Sequence, residues 1–261
     1  MSICPYVMPG SDKIRAAIKA IQGPISFNLA FWSDGAWDSG DPDSSIINDI
    51  RATGGDAIIS FGGSYGCGFN KEPALLGGTV DQVVARYLEP IIKYGFRHID
   101  LDIEGGKESD TTSFQLRNKA LKIVQDQTGI QITFTVPADE SGIYCTKMLQ
   151  DAKQQGIKIS TIRVMLMDFG HAVNMVDTCI NGLRNTYAQI WAVGLGDVRL
   201  GFIPLLGVDD GSINTYTLQN HIDILAKCKS LNFWFVYEWS FWEITRDKDY
   251  SFLKEYNKIT I

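Results

Sequence analysis

Along the chain, short runs of apolar, β-branched and aromatic residues alternate with longer stretches whose apolar positions recur at helical spacing. The strand candidates are Pro5–Met8, Ile25–Trp32, Ala57–Phe61, His98–Glu104, Gln131–Val136, Thr161–Met167, Leu200–Leu206 and Asn232–Trp239. Helical patterns lie between them. Ser11-Asp12 opens the first, which runs to Gln22, and a second covers Ser44–Thr53 and stops at Gly54-Gly55. Thr79-Val80-Asp81-Gln82 has capping-box spacing, in which the Thr hydroxyl and the Gln side chain each satisfy an orphan backbone amide. Further helices are predicted over Thr112–Gln127, Thr146–Gln155, Ala172–Trp191 and Thr217–Lys229, with a closing one near Tyr250–Lys258. Eight strands, each followed by a helix, within 261 residues predict an α/β fold of the (β/α)8 TIM-barrel type. A doubly wound open sheet is the alternative, because alternation alone does not separate the two. No Pro/Gly/Ser-rich linker divides the chain, so residues 1–261 read as one barrel domain.

Composition narrows the partners. With 45% apolar and 21% charged residues, wholesale disorder and fibrous repeats are excluded. The 24 Lys+Arg against 30 Asp+Glu give nucleic-acid binding no electrostatic support. No apolar run approaches the ~18 residues of a membrane span, and the N-terminal residues lack a signal peptide's basic-then-apolar layout. The five cysteines (Cys4, Cys67, Cys145, Cys179, Cys228) never form CxxC, and His98, His171 and His221 do not cluster. Neither a disulfide framework nor a metal or other cofactor is therefore expected, and the chain is expected to act as a monomer.

In a barrel, chemistry belongs at the C-terminal ends of the strands. The most informative such segment is Phe96-Arg97-His98-Ile99-Asp100-Leu101-Asp102-Ile103-Glu104-Gly105-Gly106. Strand side chains alternate, so Asp100, Asp102 and Glu104 share one face while Ile99, Leu101 and Ile103 share the other. The aliphatic face would pack under the helices and the acids would point into the barrel. Three inward carboxylates cannot all ionise cheaply, so at least one holds its proton near neutral pH. Glu104, nearest the loops, is placed to donate that proton. A solvated edge strand and a divalent-metal site are the competing readings.

The segment resembles the DxxDxDxE signature of glycoside hydrolase family 18, the chitinases and their relatives, and most of all the branch reading I-D-x-D-I-E-G. Ser60-Phe61-Gly62-Gly63 resembles the SxGG motif of the third strand, and Met165-Leu166-Met167-Asp168 the M-x-[YM]-D motif of the sixth. Leu206-Gly207-Val208-Asp209-Asp210 resembles the element after the seventh, and Trp239-Ser240-Phe241-Trp242 with Arg246-Asp247 the eighth. Two positions depart from the pattern. Arg97 stands where the first acid would align, and Met167 where many members carry tyrosine.

The resemblance implies a retaining hydrolase of β-1,4-linked N-acetylglucosamine polymers, with chitin or a chitooligosaccharide as partner, acting outside the cell where that polymer lies. In this family the substrate's own 2-acetamido oxygen is the nucleophile, an exception to the two-carboxylate scheme of most glycosidases. Glu104 would be general acid and base, Asp102 would orient the acetamide, and Asp100 would share a proton with Asp102. The substrate-binding candidates are Trp242 as apolar floor, Asp168 and Asp210 for polar contacts, Met167 on the barrel wall, and Ser60 beside Asp100. Trp32, Trp37 and Tyr65 are candidate sugar platforms, since a loop tryptophan among Asp, Ser and Gly has little core to enter. Each has a plainer reading: core packing for the methionines and Trp242, a tight turn for Gly62-Gly63, solvation for the loop acids. The rival functions are a chitinase-like lectin on the same barrel, an endo-β-N-acetylglucosaminidase acting on another glycan, and a metal-dependent barrel enzyme.

Overall fold

The computed structural model describes residues 2–10, 12–68 and 71–258. The strands are β1 (Ser2–Ile3), β2 (Tyr6–Val7), β3 (Phe27–Ser33), β4 (Ala36–Trp37), β5 (Ala57–Gly62), β6 (His98–Asp102), β7 (Gln131–Asp139), β8 (Gly142–Ile143), β9 (Ile159–Met165), β10 (Arg199–Ile203), β11 (Gly207–Val208), β12 (Thr215–Tyr216) and β13 (Val236–Trp239). The helices are α1 (Lys13–Ile21), α2 (Ser44–Ala52), α3 (Gly63–Gly68), α4 (Val80–Tyr94), α5 (Thr111–Thr128), α6 (Lys147–Gln154), α7 (Met175–Ala192), α8 (Leu218–Ser230) and α9 (Ser251–Asn257). Strand order runs β1-β13-β10-β9-β7-β6-β5-β3-β2, all parallel. The sheet closes on itself because β1 and β2 are two halves of one strand. Pro5 between them has no N–H to give the ladder, while its carbonyl accepts from Asn28 N–H at 3.0 Å. The barrel expected from the alternation is the fold observed.

The alternation of side chains sorts the core into two parts. Ile99, Leu101 and Ile103 are fully buried between β6 and the helix ring. The inner face is polar: Asn28, Ser60, Asp100, Thr135 and Arg163 are all 0% exposed. Helix starts are fixed by side chains that accept orphan amides: Asp43 for α2, Asp110 for α5 and Asn174 for α7. The Thr79–Gln82 capping box forms as expected, and Thr217–Asn220 makes a second at α8. Ser11, expected to open α1, lies outside the described residues.

Five strands are shorter than their apolar runs, β6, β10 and β13 among them. β6 ends at Asp102, although Ile103 N–H still reaches Thr135 O at 3.0 Å and carries the alternation one step further. β10 stops at Ile203, before Pro204. β13 begins only at Val236, because Asn232–Phe235 form a turn with Asn232 at φ 53°.

The ring around α4, α5 and α6 is braced by a buried ion pair. Arg117 Nη2 lies 2.6 Å from Glu72 Oε1, both side chains 0% exposed, and Tyr87 donates to Glu72 Oε2 at 2.7 Å. Replacing Arg117 by Met leaves a buried carboxylate without its cation and is expected to cost about 3–5 kcal/mol. Urea unfolding of Arg117→Met checks this. The Arg117→Met/Glu72→Gln double variant is expected to recover more than half of the loss, and a single-variant loss below about 1 kcal/mol contradicts the assignment.

Candidate active site

The three acids of the β6 row have three different environments. Asp100, deepest, receives Tyr6 OH (2.8 Å) and Ser60 Oγ (2.6 Å) at Oδ2, and Thr135 Oγ1 (2.7 Å) at Oδ1. Arg163 Nη1 is 3.1 Å from Oδ1. That guanidinium also bonds Glu238 through Nε and Asn28 Oδ1 at 2.6 Å, and Nη2 lies 3.5 Å from Cys4 Sγ. Asp102, one step up, is buried with Oδ1 lacking any partner among the described residues. Burial, then the charges of Glu104 and Asp100, push its pKa well above the ordinary carboxylate range, against a smaller opposing pull from Arg163. Glu104, half-buried at the lip, has a pKa pushed up to about 7 by burial and by Asp168, Glu108 and Asp210, while the Ser64 amide pulls it down.

Glycine makes the close approach of β5 to this row feasible. A Cβ on Gly62, at φ 108°, would sit 2.1 Å from Asp102 O, and one on Gly63 would meet the Phe31 ring at 2.6 Å. The pair therefore serves a turn and a contact at once.

Above the row opens a cleft of about 540 Å³. Asp102, Glu104, Asp168 and Asp210 supply its acidic side. Phe31 and Trp242 stack with centroids 5.5 Å apart at 17°, and Tyr6 leans on both at 6.0 and 5.7 Å. Met165, Met167, Ile203 and Leu205 complete an apolar wall. Asp168 adopts a left-handed backbone at φ 49°, and its Oδ1 accepts the Asp210 amide at 2.9 Å. Arg246, 3.6 Å from Asp210 Oδ1, bonds the carbonyls of Leu206 and Val208 at 3.1 and 3.0 Å and holds that loop over the cleft.

Of the expected site residues, Asp102, Glu104, Met167, Asp168, Asp210 and Trp242 line one cleft. Asp100 and Ser60 lie beneath it, fully buried, so Ser60 contacts Asp100 rather than a substrate. No hydrogen bond joins Asp100 to Asp102 among the described contacts. The partners of Asp100 are hydroxyls and Arg163 instead.

Trp32 and Trp37 are corrected outright: they are 3% and 7% exposed and pack edge-to-face, 5.6 Å apart, in the outer core with Tyr94 and Phe96. Asp34 and Gly35, at φ 54° and 79°, turn the chain so that Trp37 pairs back on Trp32. That Asp-Gly between alternating apolar residues is a hairpin signal readable in the sequence. Tyr65 is 57% exposed on α3 and does not line the cleft. The sequence reading missed Tyr6, Phe31, Thr135 and Arg163. Arg163 was within reach, since it shares strand parity with Met165 and Met167 and so must also point inward. Among the described residues, no group of three His, Cys, Asp or Glu is arranged to hold a metal ion.

No family model matches the chain. It is 28% identical to a probable bifunctional chitinase/lysozyme of Escherichia coli K12, over 78% of this chain and 24% of that protein. It is 27% identical to endochitinase 11 of Metarhizium anisopliae, over 78% of this chain and 42% of that one. The chain thus spans about a quarter and about two fifths of these relatives. The catalytic domain of a hyperthermophilic chitinase from Pyrococcus furiosus superposes with a TM-score of 0.79 at 21% identity, covering 94% of this chain and 85% of that one. A family 18 chitinase from Flavobacterium johnsoniae gives 0.71 at 13% identity, over 98% and 93%. The fold is shared with both.

Because folding raises the pKa of Glu104 from 4.5 to about 7, the folded state holds a proton that the unfolded state has released between those values. Stability carried by this group is therefore full below pH 4.5 and lost as pH rises through about 7. Glu104→Gln removes the effect. It is expected to leave stability nearly unchanged at pH 4 and to raise it by about 3 kcal/mol at pH 8, read from urea unfolding at both pH values. Equal stability of the two proteins at pH 8 contradicts the shift.

Proposed function

We propose that the chain is a chitinase-like glycoside hydrolase cleaving β-1,4-linked N-acetylglucosamine with retention. The observation that carries this reading is Glu104, its pKa near 7, at the lip of a cleft whose far side is the Tyr6–Phe31–Trp242 aromatic floor. A pyranose ring resting its CH face on Trp242 brings its glycosidic oxygen to the acidic side, where Glu104 stands.

The reaction then runs from these residues. Glu104 gives its proton to the glycosidic oxygen as the C1–O bond breaks. The acetamide carbonyl oxygen closes on C1 from the opposite face, and Asp102 accepts the acetamide N–H, fixing that oxygen in line. The deprotonated Glu104 next takes a proton from water, which attacks C1 and reopens the ring with the original β configuration. A pKa matched to neutral pH suits a group that must be acid in one half and base in the other. Asp100 stays below, pinned by Arg163, and tunes Asp102 without touching the sugar. Met167 stands where a hydroxyl would otherwise meet the acetamide, so the pocket wall offers that group thioether and aliphatic contact only. Chitin lies outside the cell that degrades it, which puts the protein's working site there.

Incubating the protein with chitin hexasaccharide, with and without EDTA, and resolving product anomers promptly by NMR tests the reading. The expected result is β-anomeric product, insensitive to chelator, with a rate reduced by about 10²–10⁴ in Glu104→Gln. α-Anomeric product, dependence on a chelatable metal, or full activity in Glu104→Gln contradicts it. Tight binding without turnover makes the protein a lectin, and neither binding nor turnover points to another glycan, with peptidoglycan fragments next in view of the Escherichia coli relative's name.

A further inference from the structure

Two tryptophans stand on the outer surface, and the mechanism above uses neither. Trp191, near the end of α7, is 61% exposed, and Trp234, in the turn that leads into β13, is 66% exposed. Trp32, Trp37 and Trp239 are buried and Trp242 lines the cleft, so these two are the indoles that the fold leaves in water. They form one patch. The ring of Tyr187, one turn before Trp191 on α7, has its centroid 6.2 Å from that of Trp191 and 5.7 Å from that of Trp234. Tyr187 is itself stacked on Phe235 at 4.0 Å and 5°, which ties the patch to the core. Neither indole is loose. Trp191 lies directly on Gly196, where a Cβ would come within 2.1 Å of Cε3. Trp234 is carried by a hydrogen-bonded turn: its N–H closes on Asn232 O at 2.8 Å, and Phe233 N–H closes on Cys228 O at 2.9 Å. An exposed ring already held in place loses little freedom when a ligand stacks on it.

We propose that Trp191 and Trp234 form a second carbohydrate-binding site, which takes a β-1,4-linked N-acetylglucosamine chain other than the one in the cleft and holds the protein on insoluble polymer. The choice of sugar rests on the hydrolase reading above. The site lies at the opposite end of the barrel from the chemistry. α7 starts after the Asp168 loop at the cleft mouth and carries Trp191 about 24 Å away along its axis. Trp234 precedes β13, whose other end leads to Trp242 in the cleft. An indole offers a broad apolar face and a directional N–H, the combination that fits the CH face and the hydroxyls of a pyranose ring. Two such rings on one support engage two units of the same chain, and the covalent link between the units strengthens both contacts. Size argues against a folded protein as the occupant. The two indoles expose roughly 200–300 Å² together, whereas a stable protein interface takes about 800 Å² from each partner.

The test is adsorption to insoluble chitin particles, run in a Glu104→Gln background so that the particles are not consumed. Trp191→Ala and Trp234→Ala are each expected to weaken adsorption about tenfold, and the double variant more. Trp191→Leu and Trp234→Leu, which keep apolar bulk without the aromatic face, serve where an alanine variant folds poorly. With Glu104 intact, the double variant is expected to release product from insoluble chitin several-fold more slowly while hydrolysing soluble chitin hexasaccharide at the parental kcat/KM. Parental adsorption in the double variant, or a hexasaccharide kcat/KM that falls in step with the rate on insoluble chitin, overturns the proposal. So does a parent that sediments as a dimer and a double variant that sediments as a monomer, since the patch then belongs to a second copy of the chain. If the parent cleaves no chitin the hydrolase reading fails on its own, and adsorption of the tryptophan variants still decides whether the patch holds the polymer. A Glu104→Gln parent that does not adsorb overturns the proposal as well.

Discussion

Burying Asp100 on the barrel axis is the constraint around which the interior is arranged. An ion there costs several kcal/mol unless it is paired and fully hydrogen-bonded. Arg163 crosses from β9 to meet it and ties in Glu238 on β13 and Asn28 on β3, so strands far apart in sequence share one guanidinium. Tyr6, Ser60 and Thr135 fill the remaining acceptor positions. This single cation is answered by two acids, and none is left for the next carboxylate in the row. Burial without a cation therefore pushes the pKa of Asp102, two residues further along the same face, well above the ordinary carboxylate range. The same chemical group is paired with a guanidinium at one position and lacks a partner for Oδ1 among the described residues at the next.

Glu104 is one step further out, where Asp168, Glu108 and Asp210 add to the effect of burial on its pKa and its solvent access is partial. Its placement depends on backbone as much as on charge. β5 can lie against Asp102 only because Gly62 carries no side chain, and Gly63 leaves the Phe31 ring room to reach Trp242. The acidic side and the aromatic floor of the cleft are thus set by the same pair of glycines. Arg246 and the left-handed Asp168 then hold the loops at the mouth.

Most of the architecture was legible in the sequence because period-2 and period-3.6 apolar patterns alternate cleanly from Pro5 to Lys258. The acid row was legible for the same reason, since parity on a strand is a geometric statement. Parity also applies to Arg163, which the sequence reading passed over, because a lone arginine in an apolar run gives no hint of its partners, which come from three other strands. Trp32 and Trp37 misled because polar neighbours suggested an open loop, while Asp34-Gly35 folds a hairpin that returns both rings to the core. Phe31 and Tyr6 could not be assigned from spacing, because their roles arise where the first and last strands meet and close the barrel.

The central claim is that Arg163 is taken up by Asp100 and Glu238, so that Asp102, buried without a cation beneath Glu104, has its pKa raised well above the ordinary carboxylate range. Infrared spectroscopy tests it most directly, by comparing the carboxylic-acid C=O absorption of the protein at pH 6 with that of Asp102→Asn. The account predicts that the substitution removes one protonated-carboxyl band. An unchanged band would mean that Asp102 is ionised in the folded protein and that the charge arrangement described for the barrel interior is wrong.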